Sequence, residues 1–136
     1  TVAVIDDVEY IDDSKGTTVD STARAIDSCK SQVILIAGGK DKHSDYGVIR
    51  SKIKDKVKNL ILIGEAKDAI AKALKGASEI HSAKDMDEAV RLAHRLAKKG
   101  DSVLLSPMCS SFDMYKSYKH RGEIFRKAVD CIRCEA

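Results

Sequence analysis

The sequence holds a single proline and no tryptophan among its 136 residues, and aromatic residues reach only 4%. The lone proline excludes a proline-rich linker. So few rings argue against a stacking platform for single-stranded nucleic acid. Charge of one sign is not in excess either. The balance of 24 basic against 21 acidic residues gives a net charge of +3, well short of a dedicated nucleic-acid binder. Apolar runs are short: the longest clean one, Val33-Ile34-Leu35-Ile36-Ala37, is far below the ~20 residues a membrane span requires. No basic stretch followed by an apolar one opens the chain. It starts in strand-like sequence at Thr1 without a methionine, which predicts a domain of a longer protein. The cysteines Cys29, Cys109, Cys131 and Cys134 show no disulfide framework and fit a cytosolic setting. Cys131-x-x-Cys134 alone supplies too few ligands for a metal centre, and no metal site is expected.

Several motifs are also missing. There is no G-x-x-x-x-G-K-[ST] loop, so the chain carries no phosphate-cradling P-loop. No G-x-G-x-x-G fingerprint, G-x-S-x-G elbow or His-x-x-x-His pair occurs. His43, His81, His94 and His120 are scattered, and His94 reads as part of a solvated helix face.

What is present is enough for one domain. Hydrophobic residues make up 43% and charged residues 33%, a composition that buries a core and is not disordered. Val2–Ile5 and Val8–Ile11, separated by Asp6-Asp7, predict a β-hairpin. Continuous apolar strands are predicted over Gln32–Ala37, Asn59–Ile63 and Ser102–Leu105, with a short one over Glu79–His81. Helical spacing falls over Ser21–Lys30, capped by Thr18 or Asp20, and over Gly47–Lys58, Ala66–Lys75, Asp85–Lys99 and His120–Cys134. Asp85 and Glu88 read as a capping box. Buried strands alternating with helices imply right-handed βαβ crossovers: an α/β fold with a mostly parallel sheet flanked by helices and an N-terminal hairpin.

Ligands of such sheets bind beyond the carboxyl ends of the strands. Three polar loops are expected there. Asp13-Ser14-Lys15-Gly16-Thr17 precedes a helix, whose free N–H groups suit an anion; the alternative is a helix cap beside a solvated lysine. Gly38-Gly39-Lys40-Asp41-Lys42 leaves a strand through glycines and offers lysines for a carboxylate, or is a plain solvated turn. Ser106–Tyr118 gathers Phe112, Tyr115 and Tyr118 beside Ser106, Ser110 and Ser111. Ser110 and Asp113 resemble a further capping box, unless the rings simply pack a helix start onto the core. No nucleophile stands with a base. The donors suit holding carboxylates or phosphates, so the expected role is positioning and charge stabilisation.

The three loops, taken together, are familiar. Tyr10-Ile11-Asp12-Asp13-Ser14-Lys15-Gly16-Thr17-Thr18 is similar to the N-D-S-K-[AG]-T-N pattern that begins the C-terminal domain of the Mur ligases. Ile36-Ala37-Gly38-Gly39-Lys40-Asp41-Lys42 resembles their L-G-G-x-x-K loop, and Leu105-Ser106-Pro107 through Asp113, then Tyr118 and Arg121-Gly122-Glu123-Ile124-Phe125, resembles their L-S-P…R-G-x-x-F block. The order and approximate spacing are kept along the whole chain, and the likeness is strongest to the branch that adds D-glutamate.

The resemblance implies a Rossmann-like, amino-acid-binding C-terminal domain over 1–136, with a UDP-binding and a central ATPase domain outside this chain. It implies a bacterial cytoplasmic ligase of peptidoglycan synthesis. ATP, with Mg2+ held mainly by the central domain, would phosphorylate the carboxylate of UDP-MurNAc-L-alanine, and the amine of D-glutamate would attack the acyl phosphate. No nucleic acid or membrane partner is implied. Carried over by motif, Thr17 and Lys42 contact the α-carboxylate of D-glutamate. Ser111, Phe112 through its backbone, and Tyr118 lie near the side-chain carboxylate. Asp13 and Lys15 face the nucleotide, Lys15 in a catalytic role. Asp12, Thr18, Phe112 and Tyr118 depart from the residues common at their positions. Two other readings are a ligase domain of the folylpolyglutamate-synthetase type and a non-enzymatic Rossmann-like module binding a nucleotide or partner.

Overall fold

A computed structural model describes residues 2–41, 43–109 and 116–135, with residue 135 described by its backbone only. Two short β-branched segments, β1 (Ala3–Ile5) and β2 (Val8–Asp12), pair antiparallel across Asp6-Asp7. Both aspartates take positive φ, 51° and 61°, the geometry that a two-residue hairpin turn demands. The remaining strands are β3 (Val33–Gly38), β4 (Val57–Ile63), β5 (Glu79–Ser82) and β6 (Ser102–Leu105). All join one six-stranded sheet in the order β1-β2-β6-β3-β4-β5, parallel from β2 to β5.

The apolar runs that mark β3, β4 and β6 are buried because helices cover both faces of the sheet. From β2 the chain steps outward in one direction through β3, β4 and β5. Right-handed crossovers therefore put α1 (Val19–Ser28), α2 (Arg50–Lys56) and α3 (Lys67–Leu74) on one face, where Ile26, Ile53, Ile70 and Leu74 pack on Leu35, Leu60 and Leu62. The step back from β5 to β6 reverses direction. It places α4 (Met86–Leu96) on the other face, with Val90, Phe125 and Val129 against Ile34, Ile36 and Val103; Phe125 and Val129 belong to α5 (Tyr118–Glu135). Reversal at β6 puts the helix after β2 and the helix after β6 on opposite faces. That is the topological switch point at which open α/β sheets form a crevice.

Element boundaries differ from the sequence reading where tertiary contacts decide them. Thr18 caps α1, accepting from Ser21 N while Ser21 Oγ reciprocates toward the Thr18 backbone N–H. α1 stops at Ser28, before Lys30, with the carbonyl of Cys29 taken by the Lys56 ammonium. The segment read as one helix over 47–58 is a 3-10 turn (Tyr46–Ile49) followed by α2, and Val57 belongs to β4, paired with Val33. α4 ends at Leu96, not Lys99. Its box is one-sided: Asp85 caps Glu88 N, but Glu88 reaches Lys84 N instead. His94 is not on a solvated face, since its Nδ1 is bonded to the hydroxyl of the buried Tyr10 at 2.9 Å. Among the described residues, no helix is long and apolar enough to cross a membrane.

Candidate functional site

The sheet aligns three strand ends on one rim. β2, β6 and β3 are neighbours and parallel, so the loops after Asp12, Leu105 and Gly38 leave side by side. Backbone bonds continue the ladder past the strands. Asp13 N donates to Leu105 O at 2.8 Å, Gly38 N to Pro107 O at 2.9 Å, and Met108 N to Gly16 O at 2.8 Å. All three polar loops expected at the rim leave it together. Of the residues after β6, 110–115 lie outside the described residues, and with them Ser110, Ser111, Phe112, Asp113 and Tyr115; so does Lys42.

Close packing fixes the loop after β2. Ser106 Oγ donates to Asp13 Oδ2 at 2.7 Å, and Ser14 N donates to Asp12 Oδ1 at 2.9 Å. Gly16 is required by space. A β-carbon there would lie 2.5 Å from Ser106 Oγ and 2.6 Å from Asp13 Oδ2. Gly122 serves the same end from α5, where a β-carbon would meet Ser14 Oγ at 2.7 Å and Asp12 Oδ2 at 2.8 Å. Below the loop, the fully buried Arg121 donates from Nη2 to Ser14 O at 3.0 Å. Above it, Arg126 Nη2 pairs with Asp12 Oδ2 at 3.1 Å.

The result is a cleft of about 320 Å3 between the loop after β2 and the first turns of α5. Asp12, Asp13, Ser14 and Lys15 form one wall, and Tyr118, Lys119, Gly122, Glu123 and Arg126 the other. Asp13, Lys15 and Tyr118, three residues singled out by sequence, thus share a cavity although over a hundred positions separate the first from the last. Thr17 stays in the same loop, half-buried, but is not part of the cleft wall. Burial pushes the Asp13 carboxyl above its ordinary value, against the lowering effect of the Ser106 hydroxyl and with a small push from Asp12. Lys15 is exposed at the mouth, and Lys119 and Arg126 add positive charge across from it. Such a cleft can hold an anion through its cations while keeping one restrained carboxylate.

The loop after β3 has its own brace. Gly38 has φ of +120°, and a β-carbon there would lie 1.9 Å from Ile63 O. Asp41 Oδ1 accepts from His43 N at 2.8 Å and from the Tyr46 hydroxyl at 2.9 Å, which together hold its carboxyl below the usual range. The Tyr46 hydroxyl also lies 3.5 Å from Cys109 Sγ, tying this loop to the one after β6. Sequence reasoning passed over Ser106 as a ligand of Asp13 and passed over Arg126, and it named Arg121 within a motif without giving it a role in the site. Arg121 had a readable signal, because it sits four residues before Phe125 on an otherwise apolar helical stripe. Among the described residues, no group of three His, Cys, Asp or Glu side chains is placed to hold a metal ion.

These features define an α/β domain with an anion-competent cleft at its switch point. Residues 1–109 match the family model described as Mur ligase, glutamate ligase domain. UDP-N-acetylmuramoylalanine–D-glutamate ligases are similar along nearly the whole chain. That of Desulfosudis oleivorans is 51% identical over 132 residues, covering 97% of this chain and 29% of its own length. That of Clostridioides difficile is 45% identical over 131 residues, covering 95% and 29%. A crystal structure of a domain from a Haemophilus ducreyi protein assigned as a UDP-N-acetylmuramate:L-alanyl-γ-D-glutamyl-meso-diaminopimelate ligase has a TM-score of 0.54 at 14% identity. It covers 93% of this chain and 94% of that one, and shows the shared fold. The chain belongs to the Mur ligase family, as its glutamate ligase domain. It spans 29% of the length of the first of these curated relatives.

Proposed function

We propose that this chain is the C-terminal, amino-acid-binding domain of a UDP-N-acetylmuramoylalanine–D-glutamate ligase, and that it positions D-glutamate for amide formation in the bacterial cytoplasm. The observation that carries this reading is the cleft at the switch point, which joins Asp13 and Lys15 to Tyr118 on a chain about half identical to such a ligase. The substrate is a dicarboxylic acid, so its site needs donors and cations on two sides. Thr17 and Lys42 bind the α-carboxylate. Ser111, Tyr118 and the backbone of Phe112 bind the side-chain carboxylate. Tyr118 offers a hydroxyl at the cleft wall for that purpose. Holding both carboxylates orients the amine toward the activated acceptor, which converts an encounter into a positioned reaction.

ATP fits this chain as a neighbour. Lys15 is a compact, exposed cation beside the restrained carboxylate of Asp13, suited to facing a nucleotide phosphate whose magnesium ion would be held mainly outside this chain. With no P-loop in the sequence and no three-ligand cluster among the described residues, this domain would contribute to a nucleotide site rather than contain one. The nucleotide supplies the phosphoryl group that activates the carboxylate of UDP-MurNAc-L-alanine. Domain closure brings Asp13 and Lys15 onto it and excludes water, and Lys15 offsets the charge that develops. UDP-binding and ATPase domains belong to the remainder of the ligase.

The test is a ligation assay on the whole protein. ADP release should require both UDP-MurNAc-L-alanine and D-glutamate; folate with L-glutamate should give none. Lys42→Ala should raise KM for D-glutamate about tenfold or more, since a charge-assisted contact is worth about 1.5–3 kcal/mol. Turnover with the folate pair, or an unchanged KM and kcat in the variant, would contradict the reading.

A further inference from the structure

One buried group has no part in the site as described so far. Thr22 lies on the core-facing stripe of α1, one turn before Ile26, and is fully buried. A valine would fill that position with the same shape and no polar atom. A hydroxyl buried there costs free energy unless it is bonded. In a helix a threonine hydroxyl commonly bonds back to the carbonyl four residues earlier. Here it reaches across the fold, with Oγ1 2.8 Å from Ser106 Oγ and 3.2 Å from Ser106 O. Ser106, also fully buried, passes the chain on to Asp13 Oδ2 at 2.7 Å. Its backbone leaves no slack: Ser106 N donates to Ile36 O, Pro107 follows, and Pro107 O takes Gly38 N.

We infer that Thr22 and Ser106 are positioning residues for Asp13, forming a reversible hydroxyl relay that fixes its carboxyl group in either protonation state. With Asp13 ionised, Thr22 donates to Ser106 Oγ and Ser106 donates to Oδ2. With Asp13 protonated, the same three atoms reverse direction: Asp13 donates to Ser106, Ser106 to Thr22, and Thr22 to the Ser106 carbonyl. Every hydroxyl keeps a donor or an acceptor in both arrangements, and the carbonyl terminates the chain only in the second. Oδ2 is committed to the relay, which leaves Oδ1 for the cleft. Gly16 is the spatial counterpart, since any β-carbon there would enter the gap between Ser106 Oγ and Asp13 Oδ2. Among the described residues, the other charged groups around Asp13 are Asp12 and Lys15 on its own loop and Arg121, Lys119, Glu123 and Arg126 on α5; α1 and the residue after β6 present the two hydroxyls. Asp13's burial-raised carboxyl agrees with a site built to tolerate the protonated form.

The importance of the relay for turnover rests on the proposed function; its existence does not. The first experiment is a carbon-detected NMR titration of the Asp13 carboxyl in this chain. Ser106→Ala removes a charge-assisted bond from the ionised form and only a weaker neutral one from the protonated form, so the midpoint should rise by about half a pH unit or more. Thr22→Val should move it in the same direction by less, and Thr22→Ser should leave it in place. Thr22→Val keeps shape, so it reports even if Ser106→Ala fails to fold. A midpoint unmoved in a folded Thr22→Val and in Ser106→Ala overturns the relay. The second experiment is kinetic, on the whole ligase. Thr22→Val should lower kcat several-fold and displace the acid limb of its pH profile as the NMR midpoint moves, with Thr22→Ser restoring both. A loss of stability with midpoint and acid limb unmoved would make Thr22 merely structural and overturn its positioning role. Absence of D-glutamate ligation in the unaltered ligase would instead contradict the proposed function while the NMR result stands.

Discussion

Single atoms decide the shape of the loop after β2. Gly16 has an unremarkable φ, so its constraint is contact alone, and Gly16→Ala isolates that contact. The methyl group must push either Ser106 or Asp13 aside. Overpacking of this kind costs about 1–3 kcal/mol, so a denaturant melt should show a loss in that range, and the Asp13–Ser106 bond should break. Asp13 carries a second residue-scale consequence. Its carboxyl is raised by burial above the ordinary 3.8, so the folded chain holds this proton at pH values where the unfolded chain has lost it. Stability therefore falls as pH rises from about the unfolded value through the folded one. Asp13→Asn should be at least as stable as the parent near neutrality and lose that advantage below the unfolded value. Melting curves at pH 3 and pH 7 check the sign, and a lower stability of Asp13→Asn at pH 7 would contradict it. The sequence showed Asp13, Lys15 and Thr17 as a polar cluster, because their types and spacing are local. It did not show Thr22 or Ser106 as partners of Asp13. Those bonds close loops of 84 and 93 residues, and nothing local marks them.

Among the elements, the strands were legible and the helix ends were not. Continuous apolar runs such as Val33–Ala37 have few alternatives to a strand covered on both faces. Helix ends are settled by neighbours: the Lys56 ammonium on the Cys29 carbonyl, or Val57 drawn into β4 by Val33. α5 shows how an element serves the site at a distance. Phe125, Val129 and Ile132 bury its apolar face against the sheet, and that docking sets Arg121, Gly122 and Arg126 against the loop after β2. Phe125→Ala should cost about 3–5 kcal/mol of stability. In the proposed ligase it should weaken D-glutamate use even where the protein remains folded, because Tyr118 and Arg126 ride on the same helix. Equilibrium unfolding checks the first effect, and KM at a temperature well below melting checks the second.

At the scale of the whole molecule, the order β1-β2-β6-β3-β4-β5 is what makes a site from distant segments. The direction of the crossovers reverses once, at β6. That single reversal sends α1 and α5 to opposite faces and opens the crevice that Asp13, Lys15 and Tyr118 share. Parallel pairing was readable from the alternation of strands and helices. The position of β6 between β2 and β3 was not, since any strand in the series satisfies the same local pattern. The most direct test of this convergence is an amide-detected NMR titration of the 136-residue chain with D-glutamate. The shared rim predicts shifts gathered at Asp13–Thr17, at the loop around Asp41 and at Tyr118, with weak affinity because the other domains of the proposed ligase are not in the titration. Shifts confined to the opposite end of the sheet, around the β1–β2 turn or Gly100, would contradict it.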